Sequence, residues 1–226
     1  MKLENKVVLV TGSSQGIGRD IALAFAREKS RLIITYHANK AAGNEVLKGC
    51  RRYSDAKLVK LDITSDKSII SMFKRVAKDF GKVDILINNA GIIHRKRLAE
   101  MSGKEISEQI ETNLSGLIKT VREGLKYFPK DEKAIIINIG SGAGKKGYAD
   151  MTVYCATKFG VRGFTQSLAE ETGRNIQVYC VNPGTTATRM NAFKGRSPTD
   201  VAKIVIETAK GNLRKESGSD IDVWEY

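Results

Sequence analysis

Short apolar, β-branched runs alternate along the chain with longer stretches of helical period. The apolar runs are continuous, as in Lys6-Val-Val-Leu-Val-Thr11 and Lys133-Ala-Ile-Ile-Ile-Asn-Ile139. A strand with one wet face would alternate between apolar and polar residues, so these runs belong in a sheet covered on both faces. The pattern predicts strands at about 6–11, 31–36, 56–61, 83–87, 133–139, 175–181 and 220–224. Between them it predicts helices at Gly16 to Lys29, Lys40 to Arg52, Asp66 to Phe80, Lys104 to Phe128, Met151 to Thr172 and Pro198 to Lys210. Serine, threonine or proline sits near several of these starts, where exposed amide groups need a cap.

Strand and helix alternating in this way is the signature of βαβ units. The expected fold is α/β: one doubly wound Rossmann domain over residues 1–226, its seven-stranded parallel sheet flanked by helices on both faces. No internal repeat or Gly/Ser linker divides the chain, and a ligand of such a sheet belongs at the carboxyl ends of its strands.

Composition narrows the chemistry. No apolar run approaches the roughly 18 residues of a membrane span, and Met1 to Lys6 carry no apolar stretch of the secretory kind, so a cytoplasmic location is expected. Cys50, Cys155 and Cys180 are an odd number at wide spacings, which argues for reduced thiols. His37 and His94 lack partners at ligand spacing, so no metal centre is expected. The formal charge of +13 speaks to partners and solubility rather than to fold.

Thr11-Gly12-Ser13-Ser14-Gln15-Gly16-Ile17-Gly18 joins the first strand to the first helix. Glycines there permit a tight turn, close approach to a pyrophosphate, and exposure of helix amide groups to its charge. Gly12, Ser14, Gln15, Gly16, Ile17 and Gly18 are therefore candidate dinucleotide contacts. The second strand ends in Thr35-Tyr36-His37-Ala38-Asn39-Lys40, without the carboxylate that would receive the ribose hydroxyls of NAD. Tyr36 and His37 become candidates on the adenosine side. His37, Asn39, Lys40 and nearby Arg19 could contact a 2′-phosphate, so NADP is favoured over NAD.

Ser141 follows the fifth strand, and Tyr154-Cys-Ala-Thr-Lys158 opens a long helix thirteen residues later. Residues four apart share a helical face, so the phenol and the ammonium converge. A free phenol ionises near pH 10, and a cation beside it favours phenolate. Tyr154 can then exchange a proton with a substrate oxygen while Ser141 hydrogen-bonds the same oxygen.

These residues occur in order with Asp62, Asn88-Asn89-Ala90-Gly91, Asn113 and Pro183-Gly184. Over nearly its whole length the sequence resembles the short-chain dehydrogenase/reductases, including their 3-oxoacyl-acyl-carrier-protein reductase-like members. The resemblance implies an NAD(P)-dependent oxidoreductase that interconverts a carbonyl and a secondary alcohol, with Asn113, Ser141, Tyr154 and Lys158 catalytic. It implies that Asp62, with Ile63 beside it, meets the adenine, that Asn89, with Ala90 and Gly91, meets the ribose, and that Lys158 holds the nicotinamide ribose. Asn113 would position a water leading from Lys158 to solvent. Thr186 and Thr188, beyond Pro183 and Gly184, would meet the carboxamide and pyrophosphate side.

The family's helical lid is here reduced to a short segment at about 189–197, and the tail stops about where the seventh strand does. A homodimer or a homotetramer is expected, the choice left open. Basic residues crowd the expected mouth: His94, Arg95, Lys96, Arg97, Lys145, Lys146, Arg189, Lys194 and Arg196. A cationic entrance suits a ketone or 3-oxoacyl thioester reductase whose substrate rides on acyl carrier protein or coenzyme A. The alternatives are an NAD-dependent sugar or secondary-alcohol dehydrogenase and, from another class, a non-catalytic nucleotide sensor or nucleic-acid binder. The chain lacks the arginine–aromatic interleaving of nucleic-acid platforms, which weakens the last.

Overall fold

The apolar runs at Val7–Val10, Ile85–Asn88 and Ala134–Ile139 become strands because burial on both sheet faces rewards every residue in them. The computed structural model describes residues 1–173 and 175–226. In chain order it contains β1 (Val7–Val10), α1 (Gly16–Arg27), β2 (Arg31–Tyr36), α2 (Lys40–Cys50), β3 (Ala56–Lys60), α3 (Asp66–Phe80) and β4 (Ile85–Asn88). Then follow α4 (Gly103–Ile110), α5 (Gly116–Gly124), β5 (Ala134–Ile139), α6 (Thr152–Thr172), β6 (Ile176–Asn182), α7 (Pro198–Lys210) and β7 (Asp220–Asp222).

All seven strands pair in parallel, in the order β3-β2-β1-β4-β5-β6-β7. The chain winds outward from β1 in both directions, so the crevice between the ends of β1 and β4 is the switch point where such sheets bind ligands. The pleat divides the side chains between two cores. Val8, Val10, Ile34, Ile87 and Ile137 pack under Phe25 of α1, Val46 of α2 and Val205 of α7. Leu9, Ile33, Leu86 and Ile136 pack under Phe73 of α3, Val121 of α5 and Val161 of α6. Helices thus cover both faces, as expected. Among the described residues no helix is long and apolar enough to cross a membrane.

Local chemistry sets the boundaries. Asn39, Ser65, Ser102 and Ser197 cap α2, α3, α4 and α7, and Ser102 with Glu105 forms a reciprocal capping box. The fourth helix departs most from expectation. The predicted span from Lys104 to Phe128 is not one helix: a π-helical turn over Glu111–Ser115 separates α4 from α5, and regular helix ends at Gly124. Such a turn inserts a residue and rotates a side chain inward, here that of Asn113. The apolar residues beyond Gly124 mimic helical period, yet they form turns that bring Phe128 back into the core. The seventh strand is also shorter than the predicted 220–224, because Val223–Glu225 turn into a 3-10 helix.

Candidate active site

The turn after β1 is held by hydrogen bonds to the neighbouring strand and to itself. The Gly12 amide donates to Thr35 Oγ1 at 2.9 Å, the Thr35 amide donates to Ser13 Oγ at 2.9 Å, and Ser13 Oγ donates to the Val10 carbonyl at 2.8 Å. Gly12 has φ of +63°, and a Cβ on it would lie 2.9 Å from Ala90 Cα, so only glycine fits. Asn89 stitches the turn to β4, its Nδ2 donating to the Thr11 and Gly12 carbonyls at 2.9 and 3.1 Å. Gly18 serves packing: a Cβ there would sit 2.4 Å from Asn89 Nδ2. Gln15, the residue before α1, makes no side-chain cap, so it leaves the first-turn amides of that helix to another acceptor.

A cleft of about 1280 Å³ runs over the carboxyl ends of the strands. Of the residues singled out in the sequence for catalysis or dinucleotide binding, all line it except Gly18, Lys40 and Asn113. Asn113 is buried behind the wall, where its side chain bonds Ile92 and reaches Thr157 Oγ1 at 3.4 Å. At the β3 end, Asp62 Oδ1 accepts from the Thr64 amide and hydroxyl. Those bonds, opposed by burial and aided by the charges of His37 and Lys60, hold the carboxyl below its ordinary range.

At the other end, α6 presents Tyr154 and Lys158 from successive turns, both buried. Lys158 Nζ donates to the Ile139 carbonyl at 2.8 Å and lies 5.7 Å from the centre of the Tyr154 ring. Thr157 Oγ1 donates to the Tyr154 carbonyl at 2.7 Å. Ser141 follows β5 in extended conformation; its Oγ accepts from the Ala143 amide at 3.1 Å and its own amide donates to Asn182 Oδ1 at 3.2 Å. Phenol, ammonium and hydroxyl therefore share one end of the cleft.

The basic mouth is thinner than the sequence led us to expect. Only Arg95 and Arg189 of those nine residues line the cleft. His94 pairs with Glu108, Lys96 with Glu105 and Lys145 with Asp222, while Arg196 donates to the Val223 carbonyl. Lys96, Lys145, His94 and Arg196 are thus held by partners of the fold. Arg95 donates to Met151 Sδ at 2.8 Å and to Asn191 Oδ1 at 2.9 Å, and among the described residues it has no carboxylate partner. Near the second strand, Arg19, His37 and Asn39 line the cleft but Lys40 does not. Arg19 Nε is 2.9 Å from Asp20, and Asn39 is engaged as the α2 cap.

Sequence reasoning missed the residues that shape the site from behind. Ser13 carries no signal of its own; a polar residue in an otherwise apolar strand, as at Thr35 and at the end of β6 at Asn182, is the one hint available.

The short chain dehydrogenase family model matches residues 6–198, and the chain belongs to that family. It is an NAD(P)-dependent oxidoreductase. It is 38% identical over 191 residues, 84% of this chain and 77% of the relative, to the 3-oxoacyl-acyl-carrier-protein reductase FabG of Vibrio cholerae. To the enzyme of that name from Escherichia coli it is 36% identical over 214 residues, 94% of this chain and 86% of the relative. Among solved structures, a short chain dehydrogenase from Burkholderia cenocepacia in complex with NADP has a TM-score of 0.92 at 29% identity, covering 98% of this chain and 97% of that one. A dehydrogenase/reductase from Sinorhizobium meliloti has a TM-score of 0.91 at 25% identity, with 98% and 95% covered.

Proposed function

We propose that the protein is an NADPH-dependent carbonyl reductase acting on 3-oxoacyl thioesters carried by acyl carrier protein or coenzyme A. The observation that carries this reading is the convergence of Tyr154, Lys158 and Ser141 at one end of a dinucleotide-sized cleft whose substrate side has two cations, Arg95 and Arg189, among its lining residues. The relatives named for 3-oxoacyl-acyl-carrier-protein reduction support the substrate class.

The residues present fit a dinucleotide. A Cβ on Gly16 would sit 3.4 Å from Thr188 Cγ2 in the gap between α1 and the segment after β6, and the uncapped amides of α1 suit a pyrophosphate. Gly12, Ser14, Gln15, Gly16, Ile17 and Thr188 would hold that pyrophosphate. Asp62 and Ile63 would hold the adenine, with Tyr36 and His37 at the adenosine ribose. Asn89, Ala90, Gly91, Lys158, Pro183, Gly184 and Thr186 would hold the nicotinamide half. His37 and the absence of a carboxylate on residues 35–40 favour a 2′-phosphate, and the Burkholderia relative binds NADP. When bound, the cofactor supplies the hydride.

Tyr154 delivers the proton to the carbonyl oxygen, and Ser141 Oγ donates a hydrogen bond to the same atom. Lys158, fixed by Ile139, puts a positive charge beside the oxygen that gains negative charge as the proton leaves. Asn113 keeps the Ile92 segment and Thr157 in place behind the site. The 226 residues act as one domain, with 189–197 as a short lid tied to Arg95 through Asn191. The protein works in the cytoplasm as a homodimer or homotetramer; exposed Ile118 and Leu125 at α5 and Phe159 on α6 offer an apolar face for a second copy.

The test is turnover of acetoacetyl coenzyme A against a small neutral ketone, with NADPH and with NADH, at rising salt. The thioester should be preferred and its kcat/KM should fall with salt. Preference for the ketone, indifferent to salt, would remove the carrier.

A further inference from the structure

The turn that carries Ser141 is held by a ring of hydrogen bonds that closes through Arg162. Arg162 lies one helical turn beyond Lys158 and two beyond Tyr154 on α6. Its Nη1 donates to the Gly144 carbonyl at 2.7 Å, while Nε and Nη2 donate to Asp220 Oδ2 at 2.9 and 2.5 Å. Asp220 Oδ1 accepts from Asn182 Nδ2 at 3.0 Å, and Asn182 Oδ1 accepts the Ser141 amide at 3.2 Å. The Ser141 carbonyl accepts the Gly144 amide at 2.8 Å, which returns the path to Arg162. The turn also presses on the catalytic helix: a Cβ on Gly144 would lie 2.7 Å from the Lys158 carbonyl oxygen.

We propose that Arg162 is a positioning residue for the reaction, fixing Ser141 relative to Tyr154 without lining the cleft itself. The inference rests on Ser141 contacting the substrate oxygen, as assigned above. The guanidinium fork is what the geometry requires. One side chain must donate to a turn carbonyl and to a carboxylate on β7, and a planar fork of five donors does both in a fixed geometry that a single ammonium on a flexible stem reproduces only in part. The Asp220 carboxyl is raised by burial but lowered further by Arg162 and Asn182, so it stays ionised and the ring stays closed at neutral pH. Among the described residues Ser141 Oγ is bonded only to the amide of Ala143 within its own turn, so its orientation is that of the turn, and the turn's orientation is that of the ring.

The experiment compares Arg162→Met, Arg162→Lys, Ser141→Ala and the double variant Ser141→Ala/Arg162→Met. It reads NADPH oxidation with acetoacetyl coenzyme A, NADPH Kd by fluorescence titration, and Tm. Arg162→Met should lower kcat on the order of 10–100-fold, the scale of small misplacements at a reacting centre, while NADPH Kd stays within about twofold. Arg162→Lys should recover part of the loss. On the Ser141→Ala background, Arg162→Met should cost no further kcat, because an effect routed through Ser141 vanishes with it. Losses that multiply in the double variant, or a fall in Tm with kcat intact, would overturn the proposal and leave the role of Ser141 standing. Undiminished kcat in Ser141→Ala would instead overturn the assignment of Ser141 and this inference together. Should Arg162→Met not fold, Asp220→Asn opens the same ring from its other side and is read in the same way.

Discussion

The Asn113 side chain holds both main-chain groups of Ile92: its Nδ2 donates to the Ile92 carbonyl and its Oδ1 accepts the Ile92 amide, each at 2.8 Å. This works only because the π-helical turn aims Asn113 at the segment leaving β4. Asn113→Leu fills the volume but strands both backbone groups. The expected loss is about 2 kcal/mol or more, given about 1–3 kcal/mol for each buried group left unpaired. Urea denaturation measures it, and a loss below about 0.5 kcal/mol would mean that water replaces the side chain.

Tyr154→Phe removes the phenolic hydroxyl and almost no volume. Turnover should fall at least about 100-fold, the lower bound of what a positioned proton donor contributes. NADPH Kd should change little, since Lys158 keeps its bond to Ile139. Steady-state kinetics beside a fluorescence titration separates the two, and substantial surviving turnover would assign the proton donor elsewhere.

His37→Asp places a carboxylate on the cleft wall where a 2′-phosphate would sit. Like charges repel the phosphate while the carboxylate accepts from free ribose hydroxyls. The ratio of kcat/KM with NADPH to that with NADH should drop by about tenfold or more, corresponding to about 1.4 kcal/mol. An unchanged ratio would discard the strand-two reading.

Asp220 titrates below its ordinary range in the folded protein: burial raises it, and the Arg162 and Asn182 bonds lower it by more. A depressed folded value contributes stability that is present above the unfolded value of about 3.9 and is lost as pH falls through the folded one. Asp220→Asn should therefore be less stable at neutral pH and show a shallower decline on acidification. Thermal unfolding from neutral to acidic pH tests both, and parallel wild-type and variant curves would show that Asp220 is not coupled to folding.

Much of this was legible because it is local. The continuous runs at Val7–Val10 and Ala134–Ile139 read as strands of a sheet covered on both faces, and the glycines from Gly12 to Gly18 read as a tight strand-to-helix turn suited to a pyrophosphate. The break at Glu111–Ser115 was not legible, since the period on either side continues as though one helix ran through. Nor was the fate of the basic mouth: Lys96, Lys145 and His94 stand among cations in sequence, and their carboxylate partners are 9, 77 and 14 residues away.

The sequence by itself determined the βαβ order, the glycine turn, and the pairing of Tyr154 with Lys158, because period, φ preference and helical pitch act over a few residues. Tertiary structure alone decided that Arg95 and Arg189 stay at the cleft, that Asn113 faces Ile92, and that Arg162 closes a ring with Asp220 and Ser141. Those outcomes depend on which charges and backbone groups meet across strands and loops far apart in the chain, and no local pattern encodes that distance.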